Sequence, residues 1–192
     1  GLMRGKFTIK LVISVALILI LVMLAQELNV YNIIRKQFYK QQYSEYVNKY
    51  AEINEIDPMW IYAIIKVESN FDADATSGSG AKGLMQLMDN TAADLAKELN
   101  IKDFESTMLY NPEINIMLGT RYFNQLINKY DGNYYLAIAA YNGGIGNVDN
   151  WITNGIISSD ASDIENIPYN ETNLYVRKTV KAYSTYVELY KG

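Results

Sequence analysis

Hydrophobic and polar positions fall into two regimes along the chain. Between positions 11 and 25 the run LVISVALILILVMLA carries no charge, and Phe7, Thr8 and Ile9 continue it on the other side of Lys10. A helix over 7–24 would be about 27 Å long, close to the hydrocarbon thickness of a bilayer. Positions 26–42 (QELNVYNIIRKQFYKQQ) are polar but helix-compatible and read as a stalk. Beyond them, apolar residues recur at three- and four-residue intervals, which predicts helix faces. Tyr43, Tyr46, Val47, Tyr50 and Ile53 make one such face, and Val176, Val180, Tyr183, Val187 and Tyr190 another. Asp57-Pro58 and Asn111-Pro112 each pair an N-cap side chain with Pro at the first helical position. Alternating apolar and polar runs are missing, so the body is predicted to be all-α, with seven or eight short helices. Three stretches at 72–82, 143–146 and 154–170 interrupt it with Gly, Ser and Asn.

Composition narrows the chemistry. The 192 residues are 49% hydrophobic and 20% charged, which excludes a disordered chain and fits one domain plus an appendage. There is no His and no Cys. A Ser-His-Asp triad, a Cys-His peptidase and a Cys/His zinc site are therefore excluded, and carboxylates, Tyr or Lys must carry any acid-base work. Neither a metal nor a cofactor is implied. Three of the 17 basic residues (Arg4, Lys6 and Lys10) and none of the 21 acidic ones fall in the first 25 positions. The remainder is acidic, which disfavours nucleic acid as a partner. The basic flank places the start of the chain in the cytoplasm and everything after Gln26 outside. The apolar run reads as an uncleaved membrane anchor. A cleavable signal peptide is the alternative, but Val22-Met23-Leu24-Ala25 lacks the small-x-small cleavage pattern.

On the helix opened by Asp57-Pro58, Ile61, Ile64 and Ile65 share a face whose next position is Glu68. A carboxylate at the end of an apolar stripe is desolvated, and its pKa rises toward that of a general acid. Ser69 follows directly. The loop ATSGSGAKG comes next, then LMQL, then AAYNGG after an apolar helix, and late in the chain PYNETNLYV. Each segment alone has a plain structural account. Their order and spacing together do not.

These segments resemble the soluble-type lytic transglycosylase domain, a lysozyme-like catalytic domain that acts on peptidoglycan. The resemblance spans about residues 43–190. VESNF at 67–71 is similar to the segment with the catalytic acid, and SGSGAKGLMQLM at 77–88 to the substrate-lining motif. AAYNGG at 139–144 resembles the family's Tyr-Asn motif, and IPYNETNLYV at 167–176 the motif with its late Tyr. The implied organisation is an anchor at 1–25, a helical stalk at 26–42 and a catalytic domain with a substrate cleft at 43–192.

The implied chemistry is cleavage of the β-1,4 bond between N-acetylmuramic acid and N-acetylglucosamine, closing a 1,6-anhydro ring. Glu68 would act first as acid and then as base. Ser69, Gln86, Tyr141, Asn142, Glu171 and Tyr175 would bind the glycan, with Tyr141 and Tyr175 suited to hydrogen-bond Glu68 or the N-acetyl group. Two departures from the family pattern stand out. Asp89 occupies a position where Pro is common and is expected to cap the following helix. Gly143 replaces an Ala, which is expected to loosen the turn. A hydrolytic muramidase on the same fold is the first rival and would need Asp72 or Asp74 to activate water. A catalytically silent wall-binding component of an envelope machine is the second. Partners of the first reading are peptidoglycan strands, the membrane and envelope-machinery proteins.

Overall fold

The computed structural model describes residues 2–191, with side chains from residue 10 onward. The side chains of Arg4, Lys6 and Phe7 lie outside the described residues. The chain divides after Lys40 into two compact units. The first is one helix, α1 (Leu2–Phe38). Its stretch Lys10–Phe38 is long and apolar enough to cross a membrane. None of its side chains in the apolar run is buried; Leu17 and Ile18, for example, are 56% and 59% exposed.

The second unit holds α2 (Ser44–Ile53), α3 (Pro58–Glu68), α4 (Asp89–Glu98), α5 (Pro112–Lys129), α6 (Tyr134–Gly143), α7 (Ile145–Thr153) and α8 (Asn170–Lys191). Two 3-10 turns, Ser106–Tyr110 and Ile164–Asn166, fill the longer connections. Among the described residues there is no strand, only isolated bridges joining Thr76, Lys82 and Leu87. The all-α prediction holds, and both caps form. The Asp57 carboxylate accepts from the Met59 amide at 3.0 Å, and the Asn111 side chain from Ile114 at 3.1 Å.

The core is built around α3, whose residues Met59 to Ile65 are all buried. A helix apolar on every side needs neighbours on every side. Here α8, α6 and α2 supply them. Trp60 stacks between Tyr183 of α8 at 3.7 Å and Tyr134 of α6 at 5.2 Å. The far end of α8 closes over the start of α3: Tyr183 donates to Asp57 at 3.1 Å and Lys191 pairs with it at 2.8 Å.

Several local expectations need correction. On α8 the buried residues are Thr172, Tyr175, Val176, Thr179, Ala182, Thr185, Tyr186 and Leu189. The predicted stripe through Val180, Tyr183 and Val187 is its half-buried flank, because small and hydroxylated residues let α3 and α6 approach closely. Ile53 is 65% exposed, so the α2 face ends earlier, at Ala51. The interruption predicted over 143–146 shrinks to Gly144, with φ 84° between α6 and α7. Gly143 is helical, and a Cβ there would meet Thr172 at 3.0 Å, so the missing methyl closes a helix contact and loosens no turn. Asp89 does not cap α4, whose N-cap is Met88. Its carboxylate is drawn instead to Lys82 at 2.5 Å.

Candidate active site

The last turn of α3 carries the acid. Glu68 is its final residue, and the chain leaves the helix through Ser69, then Asn70 and Phe71 at φ 50° and 67°. Left-handed backbone at two consecutive non-glycine residues is costly. Burial of the Phe71 ring, 6.5 Å from Tyr62, holds it there. The turn sends the loop back across the end of α3, so that Glu68 faces a cleft of about 220 Å³. Ser77, Ser79, Ala81, Gln86, Met88, Tyr141, Asn142 and Glu171 line the rest of it.

Segment 82–87 is the floor of the site, and side chains from three helices pin it. At the end of α3 the Ser69 hydroxyl reaches the Leu84 carbonyl at 2.8 Å. From α5, Asn115 accepts from the Met85 amide at 2.7 Å and donates to the carbonyls of Lys82 at 2.9 Å and Leu109 at 2.8 Å. From α6, the Tyr141 hydroxyl donates to the Met85 carbonyl at 2.8 Å. Gly83 has φ 74°, and a Cβ there would overlap Leu109 and Asn115. Asn115 is fully buried between Ile114 and Ile116, a polar residue in an apolar run. That pattern was its only signal in the sequence, where it was not singled out.

The structure therefore divides the expected site residues by what their polar atoms already do. Glu68, Gln86, Tyr141, Asn142 and Glu171 meet at one cleft. Ser69 lies outside the lining, and its hydroxyl hydrogen is directed to backbone. The Gln86 amide nitrogen is held by Gly83 at 2.8 Å and Ala75 at 3.2 Å, so it offers the cleft its carbonyl oxygen. Tyr141 has given its hydrogen to Met85, and a hydroxyl has only one. It can accept from Glu68 or from an acetamide N–H, but not donate. Tyr175 is buried behind the acid, with no partner for its hydroxyl within hydrogen-bonding distance. Ser77, Ser79 and Met88, which also line the cleft, fall within the 77–88 segment expected to line the substrate, though Gln86 alone of that segment is singled out in the sequence. Asp72 and Asp74 are both exposed and outside the lining.

Burial raises the Glu68 pKa to about 7; the nearby Tyr175 hydroxyl draws it partly back and the negative Glu171 pushes it up again. Burial, and then the charge of Glu68, push both Tyr141 and Tyr175 well above the ordinary phenol value. The site thus presents a carboxyl whose titration is shifted toward neutrality, beside two phenols that stay neutral there. Such a carboxyl can both give and take a proton. Among the described residues no group of three or more acids could hold a metal ion.

The chain is similar to several known proteins. A protein named soluble lytic murein transglycosylase from Salmonella typhimurium is 36% identical over 152 residues, covering 78% of this chain and 23% of its own length. Membrane-bound lytic murein transglycosylase C of Serratia proteamaculans is 37% identical over 116 residues, 56% of this chain and 32% of that protein. The solved structure of an inactive mutant of lytic transglycosylase Slt from Pseudomonas aeruginosa superposes with a TM-score of 0.72 at 34% identity, covering 78% of this chain and 24% of that one. The chain thus spans about a quarter of the length of the soluble enzymes it matches. The family model described as Transglycosylase SLT domain matches residues 45–163, which includes the acid, the cleft floor and the Tyr-Asn pair but stops short of Glu171 and Tyr175. By that match over more than half its length, this chain belongs to the transglycosylase SLT domain family.

Proposed function

We propose that the protein is a membrane-anchored lytic transglycosylase that cleaves peptidoglycan between N-acetylmuramic acid and N-acetylglucosamine. The observation that carries this reading is one half-buried carboxyl in a polar cleft, its pKa raised to about 7 by desolvation. Protonated Glu68 gives its hydrogen to the glycosidic oxygen as the bond from the muramyl C1 breaks. The substrate's N-acetyl group supports the positive charge on the ring. The carboxylate left behind takes the proton of the muramyl 6-hydroxyl, and that oxygen bonds to C1. Water does not enter, and the acid is ready for another cycle. Tethering of the 6-hydroxyl to the reacting sugar lends the closure an entropic advantage.

Gln86 and Asn142 are suited to the sugar's acetamide and hydroxyl groups, and Ser77 and Ser79 add hydroxyls to the same cleft. Tyr141 accepts a hydrogen bond from the acid or the acetamide, and Tyr175 donates one to the ionised carboxylate. Ser69 contributes by tethering the cleft floor. Residues 1–25 act as a single-pass anchor, 26–42 as a stalk and 43–192 as the catalytic domain facing the wall. The exposed apolar face of α1 and the membrane-bound relative support that arrangement.

Hydrolysis on the same fold is the second reading, and a specific residue favours it. Glu171 is the other carboxylate of the cleft, whereas Asp72 and Asp74 lie outside it. Mass spectrometry of digested peptidoglycan separates the two. The lyase yields muropeptides ending in 1,6-anhydro-N-acetylmuramic acid, lighter by one water and without a reducing end. Reducing muropeptides as the main product would overturn the proposal and make Glu171→Gln the next variant to test. Absence of turnover by the intact chain would favour a silent wall-binding role.

A further inference from the structure

Hydroxyls on α8 behave in two ways. Ser184 and Thr185 donate to the carbonyls one turn back, Val180 at 3.0 Å and Lys181 at 2.9 Å. That is the usual outcome for a hydroxyl inside a helix. Thr179 does otherwise. It is fully buried, and its Oγ1 has no partner within hydrogen-bonding distance. Tyr175 sits one turn earlier on the same face, and its hydroxyl is buried and unpartnered as well. The two hydroxyls are nevertheless near enough to interact, and Tyr175 interacts in turn with Glu68. Leaving a buried hydroxyl unpartnered is costly, and this one turn of α8 holds two of them.

We propose that Thr179 is a positioning residue for Glu68, its Oγ1 serving as the alternative acceptor for the Tyr175 hydroxyl. While Glu68 is protonated, Tyr175 donates to Thr179. Once Glu68 has given up its proton, Tyr175 turns to the carboxylate. Only hydrogen bonds are exchanged, and the phenol keeps its hydrogen throughout. This inference rests on the acid-base role proposed for Glu68. Tyr141 cannot take the same part, because its hydrogen is committed to the Met85 carbonyl. The titratable groups facing Glu68 are Tyr141 from α6 and Tyr175 and Glu171 from α8.

The test is the pH dependence of kcat/KM for the full chain on purified peptidoglycan. Thr179→Val removes the acceptor at nearly constant volume. Tyr175 is then left facing Glu68 in both protonation states, which favours the ionised form. The alkaline limb should move down by about 0.4–1 pH unit, the span of one neutral hydrogen bond. Thr179→Ser should keep the wild-type limb. In a Tyr175→Phe background, Thr179→Val should add no shift. An unmoved limb in Thr179→Val, an equal shift in the Ser and Val variants, or a full shift in the Phe background would each overturn the inference. Should the Val variant fail to fold, the Thr179→Ala and Thr179→Ser pair reads the same difference. Wild-type turnover by Glu68→Gln would sink the proposed function itself. A dead Gln variant with an unmoved Thr179→Val limb sinks only the positioning role.

Discussion

Helices α1 and α3 are both rich in apolar residues, and they end in opposite environments. In α1 the side chains at positions 11–25 are exposed, Leu17 at 56%. In α3 Ile61, Ile64 and Ile65 are all fully buried. Composition does not separate the two. What does is the equipment around the run: α3 starts with a cap and a Pro, carries Trp60 and Tyr62 as anchors for other helices, and ends in a carboxylate. The run in α1 has no aromatic anchor between positions 11 and 25 and no acid. An apolar helix that brings its own contacts becomes a core, and one that does not must be covered by something else, here proposed to be lipid.

The strongest way to sharpen this contrast is to change the polar end of α3. Glu68→Gln should lower turnover by roughly 10²–10⁴-fold while circular dichroism stays wild-type, since the amide keeps the shape but cannot cycle a proton. Equal apolar truncations then probe the two helices. Ile64→Ala should destabilise the body by about 2–5 kcal/mol in chemical denaturation, whereas Ile18→Ala should leave that transition unmoved. Equal losses from both would break the comparison. Leu17→Arg should cost about 3 kcal/mol of membrane insertion, read as a larger share of chain released from membranes by salt. Cleavage of soluble glycan by that variant should be unaffected.

The gentlest test concerns the stability cost of keeping the acid desolvated. Folding raises the Glu68 pKa from 4.5 to about 7, so the native state binds that proton more tightly than the unfolded chain does. The penalty is absent below 4.5, grows between 4.5 and 7, and is complete above 7. Glu68→Gln should therefore raise the unfolding free energy, read by chemical denaturation, at pH 8 but not at pH 4, by up to about 3 kcal/mol. An equal gain at both values would mean that Glu68 is not desolvated as described.

Much of this was legible in the sequence, and the part that was not has a common cause. The all-α body, the caps at Asp57 and Asn111, and the meeting of Glu68 with Gln86, Tyr141, Asn142 and Glu171 follow from local patterns and ordered motifs. What escaped were the partners of polar atoms. Ser69 and Tyr141 look like substrate ligands, yet their hydrogens go to Leu84 and Met85, 15 and 56 positions away. Asn115 reaches Met85 across 30 positions. Spacing reveals which face a residue occupies, but not which distant carbonyl its hydroxyl will find. The α8 face was misread for a related reason. Threonines at 172, 179 and 185 are polar by composition, but close packing against α3 and α6 makes them core.

The pinning of Met85 has a consequence for how the molecule opens. Its amide is held by a fully buried side chain of α5, and its carbonyl by α6, with Ser69 of the α3 terminus fastened one residue before. No single helix can fray and expose that amide while the others stay in place. Its hydrogen should exchange with solvent deuterium only at the rate of global unfolding, alongside the innermost amides of α3. The cleft floor and the body then form one cooperative unit, so the molecule holds either a complete site or none.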